Sequence, residues 1–199
     1  MRINLKRLSN SWQWLIYAFI GFLLSISIFT TFSYAIDPPL SLGELREVSV
    51  SESMSACNRK YQEEVTGTPS DKGYAVGVTR EVSKTGYVKF DGYDATTSTL
   101  KDAKGFGYKV KADGTWSNTR GASKMREKLV KQAIRQEQAA ESAGIQSIDW
   151  LLAEQKYLTA FQSVLTQAAT SRIRLRYIAP SEEAKKLCTK KSESATSSH

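Results

Sequence analysis

Apolar and polar positions divide the chain into a leader and a patterned body. From residue 8 to residue 36 there is no charged side chain, and Trp14 to Phe29 is the densest apolar run. After Asp37-Pro38-Pro39, a short stiff linker, the periodicity becomes helical from about Leu45 to Val65. Met54, Cys57, Tyr61 and Val65 recur there at spacings of 3 and 4, and Gly67-Thr68-Pro69 ends the run. Ala75–Val82, Gly86–Asp91 and Leu100–Lys104 read as three strands, and the stretch between the last two is turn chemistry. Lys109–Asn118 is a basic loop. A long helix is expected from about Ser123 to Ser142, stopped by Gly144. A strand (Ile148–Ala153), a helix (Gln155–Ala169) and a strand (Ile173–Ile178) follow, and the polar residues after Pro180 read as a tail disordered at its end. This order predicts one α/β or α+β domain: a mixed central sheet flanked by helices, its first three strands an antiparallel meander.

The leader has two readings. Arg2, Lys6 and Arg7 precede the apolar run, and Ser33-Tyr34-Ala35 suits cleavage of a signal peptide. Trp12–Phe32 is equally long enough for a transmembrane helix, with membrane contact through residues 12–36. Either way the basic end stays in the cytoplasm and residues 37–199 are exported or held outside an inner membrane. The expected organisation is a leader over 1–35, a linker over 36–44, one domain over 45–179 and a tail over 180–199.

Composition narrows the chemistry. Of 199 residues, 41% are apolar and 24% charged, the balance of a globular chain. The one histidine is His199, the last residue, which excludes hydrolases built on a Ser-His or Cys-His pair. Two cysteines exclude a four-cysteine zinc site. In an exported chain Cys57 and Cys188 either pair or remain two thiols. Charge is uneven: residues 80–135 carry 13 basic and 6 acidic side chains, net +7. Lys101, Lys109, Lys111, Arg120 and Lys124 belong to this surplus, which suits a polyanion such as nucleic acid or is a solvated face.

The hairpin is where chemistry gathers. Asp102 and Lys104, two apart on a strand, point to one face. If the turn is symmetric, Asp91 stands across from Asp102, about 5 Å away. Two bare carboxylates that close repel, and a hard divalent cation such as Mg²⁺ between them removes the repulsion. Lys104 can then orient a water or stabilise charge on a phosphate. Glu64 is either a further acid on the first helix's apolar face or an exposed helix-end residue. Gln132 and Gln136 continue an apolar stripe with Met125 and Leu129, and either reach into a site or are satisfied by backbone.

Phe90-Asp91-Gly92-Tyr93-Asp94, followed by Leu100-x-Asp102-Ala103-Lys104-Gly105-x-Gly107-Tyr108, resembles the restriction-endonuclease-fold toxin domains of bacterial polymorphic toxin systems. These belong to the PD-(D/E)xK nuclease superfamily. Tyr61-Gln62 with Val65-Thr66-Gly67, and Ile148-x-Trp150 with Glu154, resemble flanking elements of that family, so the likeness runs from about Ser55 to Ile178. It implies a restriction-endonuclease-like core and a nuclease, usually of DNA, dependent on Mg²⁺ or Mn²⁺ and deployed against competing bacteria. It implies Asp91 and Asp102 as metal ligands, joined by Glu64 as a helical acid that also binds the metal, Lys104 as the catalytic lysine, and supporting roles for Gln132 and Gln136. A cognate immunity protein is the partner implied, and a secretion chaperone for the N-terminal helix is one delivery route. The competing classes are an inactive binding module on the same scaffold and a membrane-tethered structural protein.

Overall fold

The structure, a computed structural model, describes residues 39–51 and 53–196. The leader, its signal-peptide or transmembrane reading, and its linker up to Pro38 lie outside the described residues. Among those described, no helix is long and apolar enough to cross a membrane.

The described residues are mixed α+β, with two sheets and four helices. The elements are β1 (Leu45–Ser49), α1 (Ala56–Thr66), β2 (Lys72–Gly77), β3 (Tyr87–Phe90), β4 (Gly92–Asp94), β5 (Thr99–Lys104), α2 (Arg120–Ser142), β6 (Ser147–Leu152), α3 (Tyr157–Ala168), β7 (Ile173–Tyr177) and α4 (Glu182–Thr196). One sheet is the antiparallel meander β1-β2-β3. The other, β4-β5-β6-β7, opens with an antiparallel hairpin and continues with parallel pairs. Parallel neighbours require crossovers, which α2 and α3 supply.

Two expectations fail at the ends. Residues 45–49 are a strand, not the start of a helix. Ser55 is the helix N-cap, its side chain accepting from the Asn58 N–H, so the helix begins at Ala56 and leaves out Met54 as well as residues 45–49. Leu45–Ser49 instead pairs with Lys72–Val76. The polar tail also has structure: Glu182–Thr196 is helical. Ala184 is fully buried, Lys60 Nζ lies 2.9 Å from Glu183, and Cys57 is disulfide-bonded to Cys188 with Cα atoms 5.2 Å apart. The amphipathic contact and the covalent link hold a segment whose composition alone would leave it solvated. The second predicted strand is observed at Tyr87–Phe90, while the first begins and ends earlier, at Lys72 and Gly77.

The core lies between the parallel strands and the pair α2/α3. Leu100, Ile148, Trp150 and Leu152 meet Leu129, Ala133, Phe161 and Val164, all buried. Phe161 is ringed by Tyr108, Trp116, Trp150 and Tyr157, with centroids 4.9–5.8 Å away. Each such fully buried large side chain contributes about 1.5–3 kcal/mol. This packing fixes α2 over the face of β5 that carries Asp102 and Lys104.

β3 and β4 belong to different sheets and are separated by a bend at the single residue Asp91. The Asp91 carboxylate accepts the Ala103 N–H at 2.7 Å, taking a donor the ladder would otherwise use. Gly92 follows because the backbone runs against α1: a Cβ there would stand 2.9 Å from Thr66 Cβ.

Candidate active site

β5 builds the centre. Asp102 and Lys104 are 5% and 3% exposed, and Lys104 Nζ lies 2.6 Å from Asp102 Oδ1. Their same-face placement follows from the period of two. The facing side chains come from α2, where Gln132 and Gln136 are one turn apart. Gln132 Nε2 donates to Asp102 Oδ2 at 2.8 Å, and Gln132 Oε1 accepts from Lys104 Nζ at 2.9 Å. Gln136 Nε2 donates to the same Asp102 oxygen, and Gln136 Oε1 accepts from Trp150 Nε1 at 2.7 Å. Lys104 Nζ also sits 4.5 Å from the Trp150 ring centroid. Of the two readings of these glutamines, backbone satisfaction is therefore the one that does not hold.

Burial opposes the charge on Lys104, but the adjacent Asp102 carboxylate, with smaller help from Tyr108 and Asp91, outweighs it and raises the ammonium above its ordinary value. Burial pushes the neighbouring Tyr108 hydroxyl up as well.

Asp91 reaches the same place from the other strand. β4 pairs with β5 as Gly92↔Lys101, Tyr93↔Leu100 and Asp94↔Thr99. That is the expected register as far as Gly92; Asp91 lies just outside the ladder, at a bend, and shares a cavity wall with Asp102. The Asp91 N–H donates to Lys101 O at 3.0 Å. A cavity of about 500 Å³ has Asp91, Asp102, Lys104, Tyr108, Gln132 and Gln136 in its wall. Lys89 of β3 and Arg135 of α2 line it too. A smaller cavity of about 210 Å³ lies on the α1 side of Asp91, lined by Arg59, Gln62, Ser70 and Asp71 among others.

Glu64 is not brought to this site. It accepts from Ser181 Oγ at 2.6 Å and approaches Lys60 at 3.8 Å, holding the start of α4. The α1 residues that share a cavity with Asp91 are Arg59 and Gln62, of which Gln62 is 3% exposed. Its signal in the sequence is a polar stripe, Asn58-Gln62-Thr66, at spacings of 4 beside the apolar one. Asn58 belongs to the same support: its Oδ1 accepts the Phe106 N–H at 2.7 Å, just past Lys104.

The expected polyanion-binding cations divide similarly. Lys101 lies on the far face of β5, 3.9 Å from Asp94. Lys109, Lys111, Arg120 and Lys124 are exposed around the start of α2, and none lines the cavity. Lys89 and Arg135 do, and the sequence pattern gave them no prominence.

The donor set suits a hard divalent cation. Asp91 and Asp102 could offer it carboxylate oxygens, and Mg²⁺ is usually held by one or two carboxylates with waters completing its shell. No cluster of three or more His, Cys, Asp or Glu that could hold a metal occurs among the described residues, so a cation here would rely on these two acids. Asp102 already accepts from Lys104, Gln132 and Gln136. A cation would therefore replace at least one of those donors.

Residues 58–155 match the model of a family described as restriction endonuclease fold toxin 5. That segment is a restriction endonuclease fold toxin domain. The match takes in α1 from Asn58 onward, both halves of the Asp91–Lys104 hairpin, all of α2, and β6. No curated protein matches the chain. The toxin domain thus spans all of the larger cavity's lining except Met54, whereas α4, with Cys188, and the disulfide partner Cys57 lie outside it.

Proposed function

We propose that this toxin domain is a divalent-metal-dependent nuclease that hydrolyses phosphodiester bonds of DNA. The observation that carries the reading is the buried Asp102–Lys104 pair beside Asp91 in an open cavity. Taking such a pair out of water is costly and is a poor way to gain stability. Perturbed, charge-coupled groups in a cleft mark functional sites.

Asp91 and Asp102 would hold the cation. A Mg²⁺ or Mn²⁺ bound there supplies polarisation of a phosphoryl oxygen and lowers the pKa of water. Lys104 presents its ammonium at the back of the cavity, where it stabilises the negative charge that grows on a non-bridging phosphate oxygen. Gln132 and Gln136 orient Asp102, and Gln132 also fixes the direction of Lys104. Hydrolysis consumes one water and breaks one P–O bond, the leaving oxygen taking a proton. An inactive binding module would lack an acid or the lysine, and all three are present.

Lys104 acts as a cation and not as a base. Its folded pKa is raised, so its contribution to stability is complete below the unfolded value of about 10.4 and is lost as pH rises through the folded value. The cleavage rate is therefore expected to show no alkaline fall from Lys104 between pH 7 and about 10. A fall centred near pH 8 that vanishes in Lys104→Met would contradict this role.

As a toxin the protein acts on nucleic acid in a target cell, and the producer is protected by an immunity protein. The direct test is incubation of the full chain with plasmid DNA, and separately with RNA, in Mg²⁺ or in EDTA. Cutting of DNA in Mg²⁺ alone supports the proposal. Folded protein that cuts neither polymer refutes it.

A further inference from the structure

Lys124, Lys128, Lys131 and Arg135 follow one another along α2 at spacings of 4, 3 and 4. That spacing puts all four on a single helix face. All four are exposed. The face spans about 16 Å at 1.5 Å per residue. It ends at Arg135, which lines the cavity of Asp91, Asp102 and Lys104, with Lys89 of β3 in the same wall. The acid that touches this row is Glu127, 2.6 Å from Lys131. Both partners of that pair are well exposed, and such pairs are weak enough to yield to a phosphate.

We propose that this row is the track on which the nucleic-acid backbone lies as it enters the site, with Lys89 and Arg135 gripping the phosphates beside the one to be cut. The inference rests on the nuclease reading and adds where the polymer runs. Sixteen ångströms correspond to about five phosphates of one strand. The cavity alone does not attract a polyanion, because two carboxylates sit in its wall. A line of cations leading to its mouth offsets that repulsion and raises the local concentration of substrate. A row that ends at the reactive groups fits a substrate better than a distant protein partner.

The test is binding of a labelled DNA duplex to the full chain in EDTA, where no turnover occurs, across a salt series. The variants are Lys124→Gln/Lys128→Gln/Lys131→Gln/Arg135→Gln, Lys89→Gln alone, and a control, Lys185→Gln/Lys186→Gln, on α4. Each phosphate contact contributes about −0.9 to the slope of log affinity against log salt. The fourfold variant should lose about 3–4 from that slope. Between 50 and 200 mM salt the wild type then weakens about 10²-fold more than the variant. Lys89→Gln should lose about 1, and the control nothing. Equal slopes for wild type and the fourfold variant overturn the track, while the cleavage test in Mg²⁺ independently decides the nuclease reading. Absence of duplex binding by the wild type at low salt also overturns it. So does poly-glutamate binding as tightly as the duplex and losing as much, since the face would then read an acidic polypeptide.

Discussion

Lys104→Met is expected to reduce nucleic-acid cleavage by at least about 10²–10³-fold and to lower stability by about 3–5 kcal/mol. Methionine keeps most of the packed stem and removes the charge. What remains is a carboxylate at 5% exposure with two glutamine amides and no cation. An uncompensated buried charge accounts for the lost stability, whatever the pair does chemically. Activity alone would therefore not separate a catalytic lysine from a structural one. The double variant Lys104→Met/Asp102→Asn does. It removes both charges together, and replacing a whole buried pair is much less costly than halving it. Urea unfolding should show most of the lost stability restored, while cleavage stays at background. Near-wild-type cutting by the double variant would make the pair structural.

The second large effect concerns the disulfide. Cys57 and Cys188 are 131 residues apart, so opening the bond frees a long loop in the unfolded chain. Chain entropy for a loop of that size sets a ceiling of about 5 kcal/mol, and native disulfides commonly contribute about 2–5. Cys57→Ser/Cys188→Ser should lower Tm by about 10 °C, at about 2–4 °C per kcal/mol for a chain of this length. The loss is expected to extend to the site. α1 carries Cys57, Asn58 and Gln62 within two turns, and Asn58 holds the segment just after Lys104. A Tm unchanged by the double serine variant would mean that Ala184 burial and the Lys60–Glu183 pair hold α4 without the covalent link.

Much of the site was legible because it is local. The Asp91–Lys104 hairpin is fourteen residues, and a symmetric turn gives the register observed from Gly92 to Asp94, with Asp91 and Asp102 in one cavity wall. The glutamines were legible as polar residues extending an apolar helix stripe, and the disulfide as the one pair two cysteines allow. What escaped depends on distant partners. Leu45–Ser49 is a strand only because Lys72–Val76 lies beside it. Glu64 and Gln62 are two apart on one helix, and periodicity alone pointed to Glu64, which Ser181 at the start of α4 claims. The tail is helical because a buried alanine and a disulfide hold it against α1. Lys89 and Arg135 meet only when β3 and α2 come together over one cavity. The basic surplus of residues 80–135 was visible, but not which of its members face the site.

The most direct measurement is Mg²⁺-dependent plasmid cleavage by the wild type beside Asp91→Asn. Asparagine retains an oxygen to accept the Ala103 N–H, so the bend and the fold are kept. It removes one of the two carboxylates that would hold the cation. The expected result is cleavage by the wild type in Mg²⁺, none in EDTA, and a loss of at least about 10²-fold in Asp91→Asn at unchanged Tm. A folded Asp91→Asn protein that cuts DNA at the wild-type rate would place the metal chemistry elsewhere and contradict it.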